Sequence, residues 1–460
     1  MASNGYNYKT IKSTAKDMGL TIDDLLALAP KNDPFYCGTP TELAKARWFA
    51  EAWHKLGFTN GVHLRRIHYR LVTDPEAVKH DGKPYENTSN SWSYLCEAGK
   101  YARYLGLIDP FAFEDRRNPD PHIRGGAYPD HAYPRITFDN SWDYWHLPKI
   151  KTNLGSGLNW YIPSPQVEGY EYNGIIDQPY HLEVWVEKTT LEGDIKPVCD
   201  RLGITYLAGP GFQSITRVVG MVNRVKTYGK PSVIFYISDF DPAGDIMPVA
   251  VARQIEYWSH KLEAGVNIKL QPIALTRDQV INYQLPRIPI KSSDVRKQDF
   301  EDRRGEGAVE LDALEALYPG EIAKILESEA LPYRDLELSH NLYNADYEAT
   351  QTVSWEWDQA NQDNSDKLGE LKSQANEIYN KYRERLDALS QELDQELAPL
   401  EAELKDLRHA VSDKIDQFDP ELDDRPRPVT QPPDDWIMFD TSRGYLSQIE
   451  AYQRYKDPMA

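Results

Sequence analysis

Residues 181–290 alternate between short apolar stretches and amphipathic stretches, and this alternation restricts the fold more than any other feature of the chain. The apolar stretches HLEVWVE, ITYLAG, PSVIFYIS and IKLQPIAL are rich in β-branched and aromatic residues, as buried strands are. The stretches between them carry apolar residues at helical spacing. Strands that alternate with helices form parallel sheets with helical crossovers. We therefore predict an α/β domain whose parallel sheet has helices on both faces.

Acidic residues follow two of these predicted strands. Glu187 ends one of them, and Asp239 and Asp241 follow another in the sequence YISDFDPAGD. Because the carboxyl ends of parallel strands meet at one edge, Glu187 is expected to face the two aspartates. Acids gathered in one place repel one another unless a cation joins them, and Mg²⁺ and Mn²⁺ prefer carboxylate and water oxygens. We predict a Mg²⁺ site here, with Mn²⁺ as a substitute; Asp245 either adds a ligand or favours the N-terminus of its helix through the helix dipole.

A glycine-containing loop, AGPGFQSITR (208–217), lies between the two strands that carry the acids. Gly211 allows the backbone to approach a ligand closely, Ser214 opens a predicted helix, and Arg217 follows in its first turn. A helix N-terminus beside an arginine favours a phosphate group. The loop is therefore predicted to hold a phosphate of a nucleic acid.

The segment 1–140 is predicted to be helical, with helices over 41–58, 61–72 and 89–108. Thr41 is expected to cap the first of them. Three short helices suit a helix-turn-helix or winged-helix DNA-binding module, and they equally suit a small helical bundle. The aromatic and basic residues of 89–108 fit either a recognition helix or a bundle core.

The remaining chain has an irregular part and a long helical part. Residues 366–418 carry apolar residues at a mean spacing of about 3.6, which predicts an α-helical stripe. Pro399 interrupts the stripe, so we expect an antiparallel hairpin that turns near Ala398 and Pro399. We divide the chain into a winged-helix-like domain at 1–140, a linker at 141–180, the α/β domain at 181–320, a variable connection at 321–365, an acidic coiled-coil hairpin at 366–418, and a linker with a C-terminal helix at 419–460.

The net charge of −20 does not exclude nucleic acid as a partner. Residues 301–460 contain 38 Asp and Glu against 17 Lys and Arg, whereas the first 300 residues are nearly neutral. A polyanion could therefore dock on the first two thirds, and the acidic hairpin is expected to mediate dimerisation or partner docking. No apolar run approaches the length of a membrane span or forms the core of a signal peptide, so we expect a cytoplasmic protein without a membrane partner. Three widely spaced cysteines indicate reduced thiols.

These residues together resemble the Toprim domain, particularly that of the DNA topoisomerase VI A subunit and its meiotic, plasmid and phage relatives. The resemblance rests on Glu187 at the end of one strand, the GPGF…TR loop, and the Asp239-Phe-Asp241-Pro-Ala-Gly turn, and it covers about 180–290. It implies that Glu187, Asp239 and Asp241 bind Mg²⁺ beside the scissile phosphate of double-stranded DNA. The alternative is a doubly wound domain that uses its acids for another phosphate ligand.

The resemblance extends upstream, because Leu64-Arg-Arg-Ile-His-Tyr-Arg70 is similar to the tyrosine motif of the winged-helix domain in this family. It implies that Tyr69 is a nucleophile assisted by Arg66, and that Arg65 and Arg70 contact DNA. Nearby cations help a phenol with a pKa near 10 to ionise. Tyr69 is equally suited to packing within its helix, since the chain contains 29 tyrosines.

Three functions follow from these observations. The first is Mg²⁺-dependent DNA breakage by a topoisomerase-like homodimer, in which Tyr69 of one subunit forms a phosphotyrosyl link beside the acids of the other. The second is a hydrolytic Toprim nuclease of the plasmid or phage-defence type, in which Tyr69 is structural. The third is a non-catalytic DNA-binding scaffold. The chain has no Walker-type GxxxxGK[ST] motif, so strand passage would need a separate ATPase subunit.

Overall fold

A computed structural model describes residues 7–114, 119–127, 133–139, 144–147, 158–209, 214–382, 390–433 and 436–457. The chain forms two compact units. The first comprises Met1–Ala127, Gln178–Asp335 and Val429–Ala460, and the second comprises Tyr128–Asp177 and Leu336–Pro428. Among the described helices, none combines the length and the apolar character needed to cross a membrane.

The strands are numbered in chain order as β1 Arg135–Phe138, β2 Pro165–Glu168, β3 His181–Val186, β4 Ile204–Ala208, β5 Ser232–Ile237, β6 Ile268–Ala274 and β7 Phe439–Asp440. The α-helices are α1 Tyr8–Met18, α2 Pro40–Lys55, α3 Leu64–Val72, α4 Ser89–Tyr104, α5 Glu192–Leu202, α6 Ile215–Tyr228, α7 Met247–Lys261, α8 Arg277–Asn282, α9 Lys297–Arg304, α10 Leu311–Leu317, α11 Glu321–Ala330, α12 Leu338–Tyr382, α13 Ser390–Gln417 and α14 Tyr445–Lys456.

A five-stranded sheet forms the centre of the first unit, in the order β4-β3-β5-β6-β7. The pairs among β3, β4, β5 and β6 are parallel, and β7 joins the edge antiparallel. Every residue of β3, β4 and β5 is buried, as expected for parallel strands that are covered on both faces. Helices α6 and α7 cover one face of the sheet, and α5 and α11 cover the other. The predicted mixed α/β architecture, with a mostly parallel sheet between helices, is confirmed.

The helices α2, α3 and α4 occupy the three places predicted from the sequence, and their buried residues belong to the same core as α6 and α7. The predicted cap at Thr41 is wrong. Thr39 caps α2 instead, because its hydroxyl accepts from the Glu42 N–H while the Glu42 carboxylate accepts from the Thr39 N–H at 3.1 Å. This reciprocal capping box satisfies two backbone donors that a helix start leaves unpaired.

The second unit contains the β1–β2 antiparallel pair and the long helices α12 and α13. Part of the predicted linker at 141–180 therefore forms strand β2, and α12 begins at Leu338, well before the expected start at 366. The predicted turn at Ala398 and Pro399 is also wrong, because α13 continues through Pro399. Leu397 and Leu400 on either side of the proline are buried in the helix–helix core, and this packing offsets the roughly 3 kcal/mol that a proline costs inside a helix.

The segment that carries β7 and α14 belongs to the first unit, and a buried ionic cluster fixes it there. The fully buried Arg253 of α7 pairs with Asp33 at 2.9 Å and with Glu256 at 2.9 Å. Its guanidinium also lies over the ring of Tyr445 in α14, 4.6 Å from the centroid. The buried guanidinium is therefore paired with carboxylates inside the core, and its contact with Tyr445 ties α14 to α7.

Candidate functional site

Strand register brings Glu187 next to Asp239. Val186 pairs with Ile237 in the parallel ladder, and the Glu187 N–H continues it by donating to the Ile237 carbonyl at 2.9 Å. The Asp239 N–H then donates to Glu187 Oε2 at 3.1 Å. The two acids therefore lie side by side at the carboxyl ends of neighbouring strands, where ligands bind in open α/β sheets.

The turn that follows β5 is fixed by its own hydrogen bonds. Asp241 Oδ1 accepts from the N–H groups of Ala243 at 2.8 Å and Gly244 at 2.6 Å. A Cβ atom at position 244 would lie 1.9 Å from the Asp239 carbonyl oxygen, so only glycine fits there. The spacing of acid and glycine in Asp241-Pro-Ala-Gly244 therefore fixes the turn and holds Asp239 and Asp241 in one geometry.

A lysine and two further acids complete this edge of the sheet. Lys188 Nζ lies 3.2 Å from Asp239 Oδ1, 3.1 Å from Glu310 Oε2 and 2.7 Å from Asp312 Oδ2. Asp239 Oδ1 also accepts from the Leu311 N–H at 2.7 Å. The contact of 310–312 with the turn was not predicted from the sequence, because it depends on a short β-bridge between Phe240 and Val309 that has no sequence signature.

Two acids at this edge, Glu187 and Asp239, resist ionisation. Burial, together with the charges of Asp239 and Asp241, raises the pKa of Glu187 to about 7. Burial also raises the pKa of Asp239 above its usual range, against the opposing effects of the Leu311 N–H and Lys188. For Lys188, burial favours the neutral amine, but its hydrogen bonds to Asp312, Glu310 and Asp239 outweigh burial and raise its pKa. A second positive charge at this edge would relieve the remaining repulsion.

The side chains fit Mg²⁺ in part. Among the described residues, no group of three or more His, Cys, Asp or Glu side chains is arranged to hold a metal ion, so the predicted triad does not form a closed ligand cage. Mg²⁺ does not need one, because it usually keeps several waters and takes only one or two protein carboxylates with substrate phosphates. Glu187 Oε1, Asp239 Oδ2 and Asp241 Oδ2 accept no hydrogen bond from described residues and are available as such ligands.

Asp245 has a different environment from that predicted. Its Oδ2 lies 2.9 Å from Arg303 Nη1, and its Oδ1 accepts from Arg304 Nε at 3.0 Å. The side chain is only 9% exposed. Both oxygens are therefore engaged by guanidinium groups, and we leave Asp245 out of the proposed ligands. The two arginines also donate to the carbonyls of Tyr455 and Lys456 at the end of α14.

The predicted phosphate loop is described at 208–209 and from Ser214 onwards, and Gly211 lies outside the described residues. Ser214 is the N-cap of α6, and its hydroxyl accepts from the Arg217 N–H at 3.3 Å. The Arg217 guanidinium pairs with the exposed Asp120 at 2.7 Å. Arg217 would have to exchange this partner in order to bind a phosphate.

The helix α3 presents a basic face around Tyr69. Ile67, His68 and Leu71 point inward, and His68 is held by the Tyr85 hydroxyl at 2.8 Å. Tyr69 is 57% exposed, which argues against a role in core packing. Three neighbouring arginines, Arg65, Arg66 and Arg70, are also exposed. Their guanidinium groups make no hydrogen bond or ion pair with any described residue.

Tyr69 and the acids at the edge of the sheet come from different parts of the chain. No hydrogen bond, ion pair or ring contact within the described residues joins Tyr69 to Glu187, Asp239 or Asp241. The structure therefore brings together the acids predicted from the sequence, but it does not join the predicted nucleophile to them within one subunit.

A cavity of about 740 Å³ at the carboxyl ends of β5 and β6 is lined by Asp239 but by neither Glu187 nor Asp241. Asp239 lines one part of it, and Arg277, Arg303, Arg304 and Arg454 contribute cations elsewhere. Comparison of the sequence with models of known protein families and with curated proteins finds no match.

Proposed function

We propose that this protein breaks double-stranded DNA in a Mg²⁺-dependent reaction, with a Toprim domain as its metal-binding part and a winged-helix-like domain at its N-terminus. The observation that carries the proposal is the pairing of Glu187 and Asp239 at the carboxyl ends of adjacent parallel strands, with a raised pKa at both. Buried acids with perturbed pKa values at such a position are typical of functional sites.

In this proposal Glu187, Asp239 and Asp241 hold Mg²⁺, and Mn²⁺ can replace it. The bound ion would neutralise charge on the scissile phosphate as it develops. Lys188 compensates the same acids from the protein side. The fixed turn closed by Gly244 keeps the ligands in place without reorganisation at the moment of reaction.

The exposed face of α3 supplies the nucleophile and the DNA contacts. The Tyr69 oxygen forms a bond to phosphorus and releases its proton to solvent. The bond from phosphorus to the deoxyribose oxygen breaks, and that oxygen takes up a proton and leaves as a hydroxyl. Arg66 assists Tyr69 in its attack, and Arg65 and Arg70 bind neighbouring phosphates.

By the resemblance, the active form is a homodimer in which Tyr69 of one subunit reaches the acids of its partner. Strand passage would further require a separate ATPase subunit, because the chain carries no Walker-type motif. The second candidate is a hydrolytic Toprim nuclease, which needs no contact between Tyr69 and the acids. There the acids and a metal-activated water act without the tyrosine.

Incubation with supercoiled plasmid, with and without Mg²⁺, tests the proposal. A protease step before electrophoresis reveals DNA that is covalently attached to protein. We expect Mg²⁺-dependent breaks carrying attached protein, loss of both with Glu187→Gln, and loss of the attachment with Tyr69→Phe. Tyr343→Phe is the matched control, since Tyr343 is another exposed tyrosine of the chain.

The other outcomes discriminate among the candidates. Breaks that survive Tyr69→Phe and never carry protein identify the hydrolytic nuclease. DNA binding without breakage, unaffected by Mg²⁺, identifies a non-catalytic scaffold and refutes the proposal.

A further inference from the structure

The ammonium group of Lys188 lies among three acidic side chains from two parts of the chain. Its partners are Asp239 after β5, Glu310 just before α10, and Asp312 in the first turn of α10. The Lys188 side chain is 20% exposed and that of Asp239 is 11% exposed, whereas Glu310 and Asp312 are 56% and 50% exposed, so solvent screens the contact with Asp239 least. Thr190 Oγ1 donates to Asp312 Oδ1 at 3.3 Å and steadies the α10 side of the cluster.

Asp239 is the residue that this cluster shares with the candidate metal site. Lys188 binds Asp239 Oδ1, while Asp239 Oδ2 accepts no hydrogen bond from described residues. A lysine ammonium and a divalent ion near one carboxylate repel each other, so both cannot be held there at full strength. Lys188 therefore opposes a metal at Asp239.

Glu310 and Asp312 act in the opposite direction. They lie 3.1 Å and 2.7 Å from Lys188 Nζ, and they offer the ammonium two partners besides Asp239. The contact with Asp312 is shorter than the 3.2 Å contact with Asp239. When a metal takes Asp239, Lys188 keeps two carboxylates and remains compensated.

We propose that Lys188, Glu310 and Asp312 are positioning residues that set the affinity of Asp239 for a divalent ion. Lys188 weakens metal binding by competing for Asp239. Glu310 and Asp312 strengthen metal binding, because they also bind the Lys188 ammonium and so reduce its attraction to Asp239. This inference rests on the proposed metal site at Glu187, Asp239 and Asp241. Its distinctive consequence is that removing the lysine and removing its acidic partners have opposite effects.

Titration of the purified full-length chain with Mn²⁺, followed by electron paramagnetic resonance of the free ion, measures this directly. We expect Lys188→Met to bind Mn²⁺ roughly tenfold more tightly than the unmodified protein. The double variant Glu310→Gln/Asp312→Asn should bind roughly tenfold more weakly, because Lys188 then depends on Asp239 alone. Lys196→Met is the control, since Lys196 pairs with Glu192 at 2.5 Å and contacts none of these acids.

Circular dichroism checks that each variant is folded, and Lys188→Gln repeats the test with a polar side chain if Lys188→Met does not fold. Tighter binding by the lysine variant supports the inference, even if the unmodified protein binds no Mn²⁺ in the measured range. Equal affinity in the unmodified protein and all variants overturns the inference and leaves the proposed metal site standing. If neither the unmodified protein nor any variant binds Mn²⁺, both the inference and the metal-dependent function are wrong.

Discussion

Replacing Glu187 with glutamine should make the protein more stable at pH 8 when no metal is present. The pKa of Glu187 is raised from its ordinary value of 4.5 to about 7 by burial and by the neighbouring Asp239 and Asp241. Below about pH 4.5 the carboxyl is neutral in both the folded and the unfolded chain. As the pH rises towards 7, the unfolded chain loses the proton first, so the folded state loses stability; the full loss is present above pH 7.

The size of the effect follows from the displaced pKa. At about 1.4 kcal/mol for each pKa unit, ionised Glu187 destabilises the fold by about 3 kcal/mol. For the first unit, which has about 300 residues, this amounts to roughly 5 °C in the unfolding temperature. Glutamine has the same shape as glutamate, and its carbonyl oxygen can still accept from the Asp239 N–H.

Thermal unfolding in EDTA at several pH values between 4.5 and 8 provides the assay. The unfolding temperature of Glu187→Gln should equal that of the unmodified protein at pH 4.5 and be higher at pH 8. Saturating Mg²⁺ should reduce this difference in unfolding temperature at pH 8. Glu76→Gln, which changes an exposed glutamate, is the control. A variant that is no more stable at pH 8, or whose advantage does not depend on pH, would refute the electrostatic account of this edge.

Two further substitutions test other parts of the proposal. Arg66→Gln should weaken binding to duplex DNA of any sequence, because one phosphate contact is lost. Fluorescence anisotropy should show that the slope of log affinity against log salt concentration falls in magnitude by about 1. Arg427→Gln is the control, and an unchanged slope for Arg66→Gln would show that α3 is not part of the DNA interface. Asp245→Asn should cost about 3 kcal/mol of stability, seen as a lower unfolding temperature, because Arg303 and Arg304 lose a largely buried partner. The rise in unfolding temperature on adding Mn²⁺ should be unchanged, whereas a lost rise would return Asp245 to the metal ligands.

The sequence alone was sufficient to predict the parallel sheet and the close approach of its acidic residues. Strands buried on both faces need continuous apolar runs, and runs such as SVIFYI are visible without any knowledge of their neighbours. Once the strands are parallel and adjacent, Glu187 and Asp239 must share an edge. Local pattern and topology together therefore determine this part of the site.

Features that depend on contacts between distant segments could not be predicted. Two of the three partners of Lys188 come from 310–312, more than a hundred residues away, and the ion pairs of Asp245 come from α9. Pro399 was predicted to end a helix because its local cost is large, yet the packing of Leu397 and Leu400 outweighs that cost. In each case tertiary contacts decide between locally plausible alternatives.

The first unit is assembled from three stretches of chain, with the two stretches of the second unit between them. During synthesis, the ribosome makes α12 and α13 before it makes β7 and α14. Until then, β6 has an open edge and Arg253 lacks its contact with Tyr445. The edge of β6 in the nascent α/β sheet therefore stays unpaired while α12 and α13 leave the ribosome. An unpaired strand edge is a template for wrong pairing.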